Sequence, residues 1–244
     1  MILKELKVTE KFLTFDNLPS IKFDPKLLII TGPNGYGKTT ILELIYQLLT
    51  YKDLEEDLKQ KIGKVTLSTD QGDITFDQEH GIQRNCIQSY PCIRYKKQDN
   101  IETYTLTTFD LITLQNYPEI INWVFLENGL EPIIDLNNGK LLIKHSGLTN
   151  AIAFPFEDAP QSLQNLLIMY LFSAQTKPSD ILLIDMPEEH LHLSIQRELL
   201  KRFSKLCIGQ LVVTTHSPSI LIPEKHIDLY RLNKNIQNNE NRNY

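Results

Sequence analysis

The tightest constraint on this chain is the run Gly32-Pro33-Asn34-Gly35-Tyr36-Gly37-Lys38-Thr39-Thr40. Gly32, Gly37, Lys38 and Thr39 fit the spacing G-x-x-x-x-G-K-[ST]. A continuous apolar run, Leu27 to Ile30, precedes it and reads as a buried strand. Ile41, Leu42, Leu44, Ile45, Leu48 and Leu49 follow it at helical spacing, with the helix ending near Thr50. A chance glycine turn before a helix would not bring both flanks with it. Glycines let the backbone turn tightly, so that consecutive N–H groups point at one anion. The helix N-terminus adds roughly half a positive charge at the same place. In such a loop Lys38 reaches the β- and γ-phosphates of a nucleotide, and the Thr39 hydroxyl ligates Mg²⁺.

Composition excludes several classes. The chain has 244 residues and a formal net charge of −5, so no global basic field argues for nucleic acid. No run of about 18 apolar residues exists for a membrane-spanning helix. The N-terminal stretch MILKELKVTEKF mixes charge with apolar residues, unlike a signal peptide. Cys86, Cys92 and Cys207 match no zinc spacing, and an odd cysteine count suits reduced thiols in a cytoplasm. No internal repeat is evident.

Around the glycine run, residues 2–15 read as two short strands joined near Thr9-Glu10. The charged stretch from Asp53 to Lys61 reads as a second, solvated helix. From Lys64 the period becomes two, with a hairpin about Asp70-Gln71-Gly72-Asp73, strand-like stretches at 90–97 and 101–108, and another hairpin about Asn137-Asn138-Gly139. A helical pattern over 109–128 is broken at Pro118. Residues 64–145 therefore read as a β-rich insertion in a single domain spanning 1–232. Without heptads, it holds no coiled-coil arm. The basic run Arg94-Tyr95-Lys96-Lys97 reads as a solvated hairpin face rather than a nucleic-acid contact. Helices are expected over 162–172 and 194–206, strands over 181–185, 211–215 and 226–232, and a polar, disordered tail over 233–244.

The run Ile181-Leu182-Leu183-Ile184-Asp185 is an apolar strand ending in a carboxylate. Continuous apolar strands belong to parallel sheets, whose C-terminal ends face ligands. An isolated strand-end aspartate can simply cap a turn. With a phosphate loop upstream, Asp185 becomes the carboxylate that holds Mg²⁺ opposite Lys38. Glu188, Glu189, His190 and His192 crowd the following loop, where their spacing favours positioning roles over a transition-metal site. His216 ends the strand Leu211-Val212-Val213-Thr214-Thr215; it is either a satisfied strand-end histidine or a donor to a terminal phosphate.

GPNGYGKTT at 32–40, ILLIDMPEEHLH at 181–192 and VVTTHSP at 212–218, in that order, resemble the ABC-type ATPases of the RecF/SMC-like and overcoming-lysogenization-defect-like group. The resemblance covers roughly 1–50 and 155–232. It implies an α/β P-loop NTPase fold of ABC-ATPase type, a mainly parallel sheet flanked by helices, and an antiparallel β-rich subdomain. It implies ATP and Mg²⁺ as ligands, with Gly32 to Thr40 holding the nucleotide and Thr39 and Asp185 the metal, and it makes His216 the residue that contacts the γ-phosphate. It further implies a cytoplasmic protein that forms an ATP-dependent homodimer and has a separate effector partner, in DNA repair or phage defence. DNA stays open as a partner; a membrane is not implied.

Two features depart from that group's pattern. Where the group carries a glutamate that polarises the attacking water, this chain has Met186, and a thioether takes no proton. Slow hydrolysis follows, with Glu188 as the nearest substitute base, or else a nucleotide-gated scaffold that binds ATP without hydrolysing it. The group's signature serine and glycine are absent from Pro160-Gln161-Ser162-Leu163, although Ser162 opens a helix. The group's loop glutamine has four candidates: Gln78, Gln83, Gln88 and Gln98. A GTPase reading is weak, because Asn233-Lys234-Asn235-Ile236 lacks the aspartate that reads guanine.

Overall fold

The structure is a computed structural model and describes residues 1–85, 92–95, 104–148, 150–189, 191–220 and 228–232. The chain divides into two compact units. The first comprises Met1–Tyr95, Thr176–Glu188 and Leu193–Tyr244; the second comprises Lys96–Gln175 and Glu189–His192.

Among the described residues, the first unit holds two five-stranded sheets. One contains β3 (Leu27–Thr31), β7 (Cys92–Tyr95), β11 (Ile181–Asp185), β12 (Gln210–Thr215) and β13 (Asp228–Arg231), in the order β13-β3-β12-β11-β7. Every pairing in it is parallel. β3, β11 and β12 are buried at every position, which is why their sequences run apolar without alternation. The other sheet is antiparallel and runs β2-β1-β4-β5-β6, from β1 (Leu3–Phe12), β2 (Leu18–Lys22), β4 (Ile62–Thr69), β5 (Gly72–Asp77) and β6 (Gly81–Arg84). Its strands alternate between buried and exposed positions, as one-sided sheets do.

Helix α1 (Lys38–Thr50) touches β7, β11 and β12 of the parallel sheet and β5 of the antiparallel one. Being covered by both layers, it buries Ile41, Leu42, Leu44, Ile45, Leu48 and Leu49 together. These join Leu6, Val8, Ile21, Leu28, Ile30, Val65, Leu67, Leu183 and Val212 in one core. Gln47 on α1 is fully buried, and its amide is satisfied by Glu43, Glu55 and the Glu55 backbone N–H. The short helix α2 (Glu56–Lys59) follows, and α6 (Leu193–Leu206) packs a narrow apolar stripe of Leu199, Leu200, Phe203 and Leu206.

The second unit contains α3 (Thr108–Asn116), α4 (Pro118–Val124), β8 (Leu130–Asp135), β9 (Lys140–His145), β10 (Phe154–Pro155) and α5 (Gln161–Ala174). Its antiparallel sheet has the order β10-β9-β8. α3 starts in a capping box between Thr107 and Asp110, and Pro118 opens α4, so the break expected at that proline is observed.

Several sequence expectations need correction, the strand-like stretch at 101–108 among them: its described part holds no strand, and Thr108 opens α3. Residues 2–15 form one long strand and a tight turn rather than two strands. Glu10, at φ 73°, bulges out of β1 opposite Gly63, where any Cβ would strike the Thr9 carbonyl at 2.6 Å. The charged helix shrinks to α2. The β-rich insertion does not begin at 64, because β4 pairs along the whole of β1, and β7, with Arg94 and Tyr95, is an outer strand of the parallel sheet rather than a hairpin face. The mainly parallel arrangement thus describes one sheet of three. Lys96, Lys97, residues 101–103, Cys86 and the tail from residue 233 lie outside the described residues.

The central position of α1 generates a stability prediction. Ile45 is fully buried, so Ile45→Ala should cost about 2–5 kcal/mol. Denaturant unfolding checks it: a loss below 1 kcal/mol would mean that α1 is not the packed centre of the first unit.

Candidate functional site

The order β3-β12-β11 brings three strand ends together. β3 leads into the glycine run, β11 ends at Asp185, and β12 runs between them to His216. The register sets Thr214 beside Asp185 and Thr215 beside Thr31. The residues that the strand ends bring together belong to the first unit.

The glycine run takes the shape its sequence predicts. Gly32, Gly35 and Gly37 all have positive φ. Gly37, at φ 88°, also lies so close to the turn after β1 that a Cβ would come within 2.7 Å of both Leu13 Cδ1 and Phe12 Cε1. Gly32 is pressed against the Leu232 backbone, 2.9 Å from its carbonyl oxygen to a built Cβ. Tyr36 leans on Phe15 from the same turn, ring centroids 6.0 Å apart. The loop is therefore clamped by β1 and by the residue after β13. No side chain caps the N-terminus of α1, so its first N–H groups keep their capacity for an anion.

Lys38 is buried and folds back over the loop, donating to the Gly32 carbonyl at 2.8 Å and the Pro33 carbonyl at 3.0 Å. Burial pulls its ammonium below the usual lysine range; Asp185 and Glu188 work against that shift. Asp185 Oδ2 accepts from Thr39 Oγ1 at 2.9 Å, and its Oδ1 accepts from Thr214 Oγ1. The two residues expected to hold a metal are thus in direct contact. Their donors, a hydroxyl and a carboxylate, are the hard oxygens that Mg²⁺ takes.

After Asp185 the backbone enters the left-handed region at Met186, φ 47°. Its N–H donates to Thr214 O at 3.1 Å and Thr214 Oγ1 at 3.2 Å, and its Sδ lies 3.0 Å from His216 Nδ1. Glu188 is 3% exposed. Its Oε1 accepts from Thr215 Oγ1 at 2.7 Å, His216 N at 3.0 Å and Ser217 N at 3.3 Å, and lies 3.4 Å from His216 Nδ1. Gln196 of α6 ties the two loops together, donating to the Glu188 carbonyl and accepting from Ser217 Oγ.

The structure therefore brings Lys38, Thr39, Asp185, Met186, Glu188 and His216 into one site. Ser162 sits in the first turn of α5, in the second unit. His192 is exposed, His190 lies outside the described residues, and among those described no group of three His, Cys, Asp or Glu could hold a metal ion. Gln78 is tied to the Lys59 and Ile62 carbonyls, Gln83 lies exposed on β6, and Gln88 and Gln98 are outside the described residues. Sequence reasoning missed Thr214, Thr215, Ser217 and Gln196. A signal existed: two threonines and a serine at the end of an otherwise apolar strand.

The description AAA domain belongs to the family whose pattern matches residues 9–206. The chain belongs to that family. No curated protein matches it. Among solved structures, the SMC head domain from Thermotoga maritima is 17% identical, covers 95% of this chain and 94% of its own, and superposes with a TM-score of 0.58. An SMC head bound to the C-terminal winged-helix domain of ScpA is 12% identical over 94% of each chain, TM-score 0.64. A third head with an extended coiled coil, bound to the C-terminal domain of ScpA derived from Pyrococcus furiosus, is 12% identical over 95% of this chain and 94% of its own, TM-score 0.59. The family is that of the AAA domain, and the fold resembles that of these SMC heads. Among the described residues no helix is long and apolar enough to cross a membrane.

Lys38→Ala should weaken ATP binding at least about tenfold, roughly 1.4 kcal/mol. Calorimetry reads this directly, and an unchanged affinity would remove the lysine from the nucleotide site.

Proposed function

We propose that the chain binds ATP with Mg²⁺ and hydrolyses it slowly, and that the bound nucleotide closes a homodimer which acts on a separate effector protein. The observation that carries this reading is the Thr39–Asp185 contact at 2.9 Å beside the folded-back Lys38. It brings together the groups a nucleotide and its cation need. Gly32 to Thr40 would wrap the phosphates with backbone N–H groups, and Lys38 would exchange two neutral carbonyl partners for oppositely charged phosphate oxygens. Thr39 and Asp185 would hold Mg²⁺, directly or through water, where a divalent cation neutralises phosphate charge. His216 would contact the terminal phosphate.

Slow turnover follows from Met186. It stands next to Asp185, where a base would be needed, and offers a sulfur that accepts no proton. A base at Glu188 would first have to leave the donors that hold its Oε1. The same observation favours a second reading, a nucleotide-gated scaffold that binds ATP and does not hydrolyse it. Single-turnover assays separate the two.

The homodimer rests on resemblance to the SMC-like group, and the effector partner on the ScpA-bound heads. A role in DNA repair or phage defence rests on the resemblance alone. Co-purification of the native complex, followed by ATPase assays with and without DNA, identifies the partner and tests the nucleic-acid question.

Two outcomes are expected. Met186→Glu should raise the hydrolysis rate; a well-placed general base contributes about 10²–10⁴-fold, so a gain of about tenfold is readable. No gain while ATP stays bound would place the limit in a conformational step instead. ATP should also promote self-association in sedimentation, and a chain that stays monomeric at high concentration with ATP bound would reject dimer closure.

A further inference from the structure

Glu188 is a buried carboxylate with an uneven set of partners. Oε1 takes the Thr215 hydroxyl and the His216 and Ser217 N–H groups and flanks the His216 ring; Oε2 is shut off from solvent and has no partner among the described residues. Leaving a carboxylate oxygen buried and unpaired is costly, on the order of 1–3 kcal/mol or more. A turn that needed only a cap could use a neutral, smaller residue with every atom satisfied. Both ends of Glu188 are also immobilised. Its carbonyl accepts from Gln196 Nε2, and Gln196 in turn accepts from Ser217 Oγ, closing a ring of contacts around the turn after β12.

The beneficiary of this arrangement is His216. Its side chain is 43% exposed, yet its backbone N–H and its Nδ1 both face one buried oxygen, while Met186 Sδ bounds Nδ1 from another direction. Nε2 has no partner among the described residues. We propose that Glu188 is a positioning residue for nucleotide recognition: it holds the His216 backbone and ring, with Nδ1–H on its own Oε1, so that in the ring carrying protons on both nitrogens Nε2–H is the donor left for the terminal phosphate of ATP. This rests on the reading of His216 given under Proposed function. It gives Glu188 a task that does not require it to take a proton from water. The carboxylate oxygen facing the ring is the one already held by three other donors, so the ring is oriented by the same atom that shapes the turn.

The experiment measures affinities for ADP and for a non-hydrolysable ATP analogue by calorimetry, in wild type, His216→Ala, Glu188→Ala, Glu188→Gln and the double variant Glu188→Ala/His216→Ala. A hydrogen bond to a charged group carries a factor on the order of tenfold or more. His216→Ala should therefore lower the preference for the ATP analogue over ADP by about that factor. Glu188→Ala should lower it nearly as far with little change in ADP affinity. The double variant should fall no further than either single one, and Glu188→Gln, which keeps an acceptor at Oε1, should recover most of the preference. If Glu188→Ala weakens ADP and the analogue equally, or adds fully to His216→Ala, the residue is only a structural cap and the proposal is overturned. If His216→Ala leaves the preference at its wild-type value, the phosphate-contact reading itself fails, and this inference with it. Should Glu188→Ala not fold, Glu188→Asp reads the same ratio. Its carboxylate stops one methylene short of the ring, so a wild-type ratio in that variant overturns the proposal.

Discussion

The Asp185 carboxylate joins the parts on which the site depends. One oxygen accepts from Thr39 on the first turn of α1, and the other accepts from Thr214 on the neighbouring strand. Three segments far apart in sequence, near 39, 185 and 214, meet at this one group. The sheet makes that meeting unavoidable. With β12 between β3 and β11, and Thr214 in register with Asp185, the threonine hydroxyl has the carboxylate as its neighbour. Parallel strands of equal polarity deliver all their C-terminal residues to one edge, which is where open α/β sheets bind ligands. The clamp on the glycine run completes the arrangement. Phe12 and Leu13 press on Gly37 from one side and Leu232 on Gly32 from the other, so the loop cannot drift away from Asp185.

Electrostatics explain why this edge is prepared for a polyanion. Two carboxylates, Asp185 and Glu188, are buried close enough to act on Lys38, and Lys38 itself is drawn out of water. Desolvation disfavours its charge while the carboxylates support it. Without nucleotide, the ammonium is satisfied by the loop's own carbonyls. These are neutral acceptors, whereas phosphate oxygens would add the attraction of an opposite charge. The site thus holds its cation ready on partners weaker than those a nucleotide offers, and preorganisation of that kind reduces the cost of binding.

Much of this was legible in the sequence because the signals were strong and local. The phosphate loop, the continuous apolar strands and the Pro118 break are each written within a few residues, and each is found in the structure. Most of the misreadings share one cause: pairing over long sequence distance. Nothing in the local pattern of 64–77 reveals that β4 lies along β1, since an alternating strand is compatible with any antiparallel neighbour. The β1 bulge was equally hidden, because it needs Gly63 on the partner strand to make room for it. In the site, the charged and catalytic residue types drew notice while Thr214, Thr215 and Ser217 did not. Their hydroxyls matter only once register places them against Asp185 and Glu188. Glu188 shows the same limit. Its place two residues after Met186 suggested a substitute base, and only the fold reveals that its Oε1 also accepts from the turn after β12.

Met186 is where these constraints conflict, and the conflict is informative. A non-glycine residue in the left-handed region costs of order 1–3 kcal/mol, and such strain persists only where the surroundings over-determine it. Here they do: the Met186 N–H is pinned by both oxygens of Thr214, one residue after the carboxylate that Thr214 also holds. The backbone path is therefore imposed by the Asp185–Thr214 pair, whatever side chain follows. A glutamate would suffer the same backbone strain as a methionine, so packing against the backbone gives no reason for the thioether. What changes between the two is the group presented to His216 Nδ1: a sulfur, a weak acceptor, now lies 3.0 Å away. With a carboxylate there, His216 would be divided between two acids, the one at 186 and the buried one at 188. With methionine, Glu188 is the carboxylate among the described residues that faces the ring. Under the proposed function, an architecture that retains the strained turn and the histidine without a base at 186 would keep its means of recognising nucleotide and slow its means of consuming it.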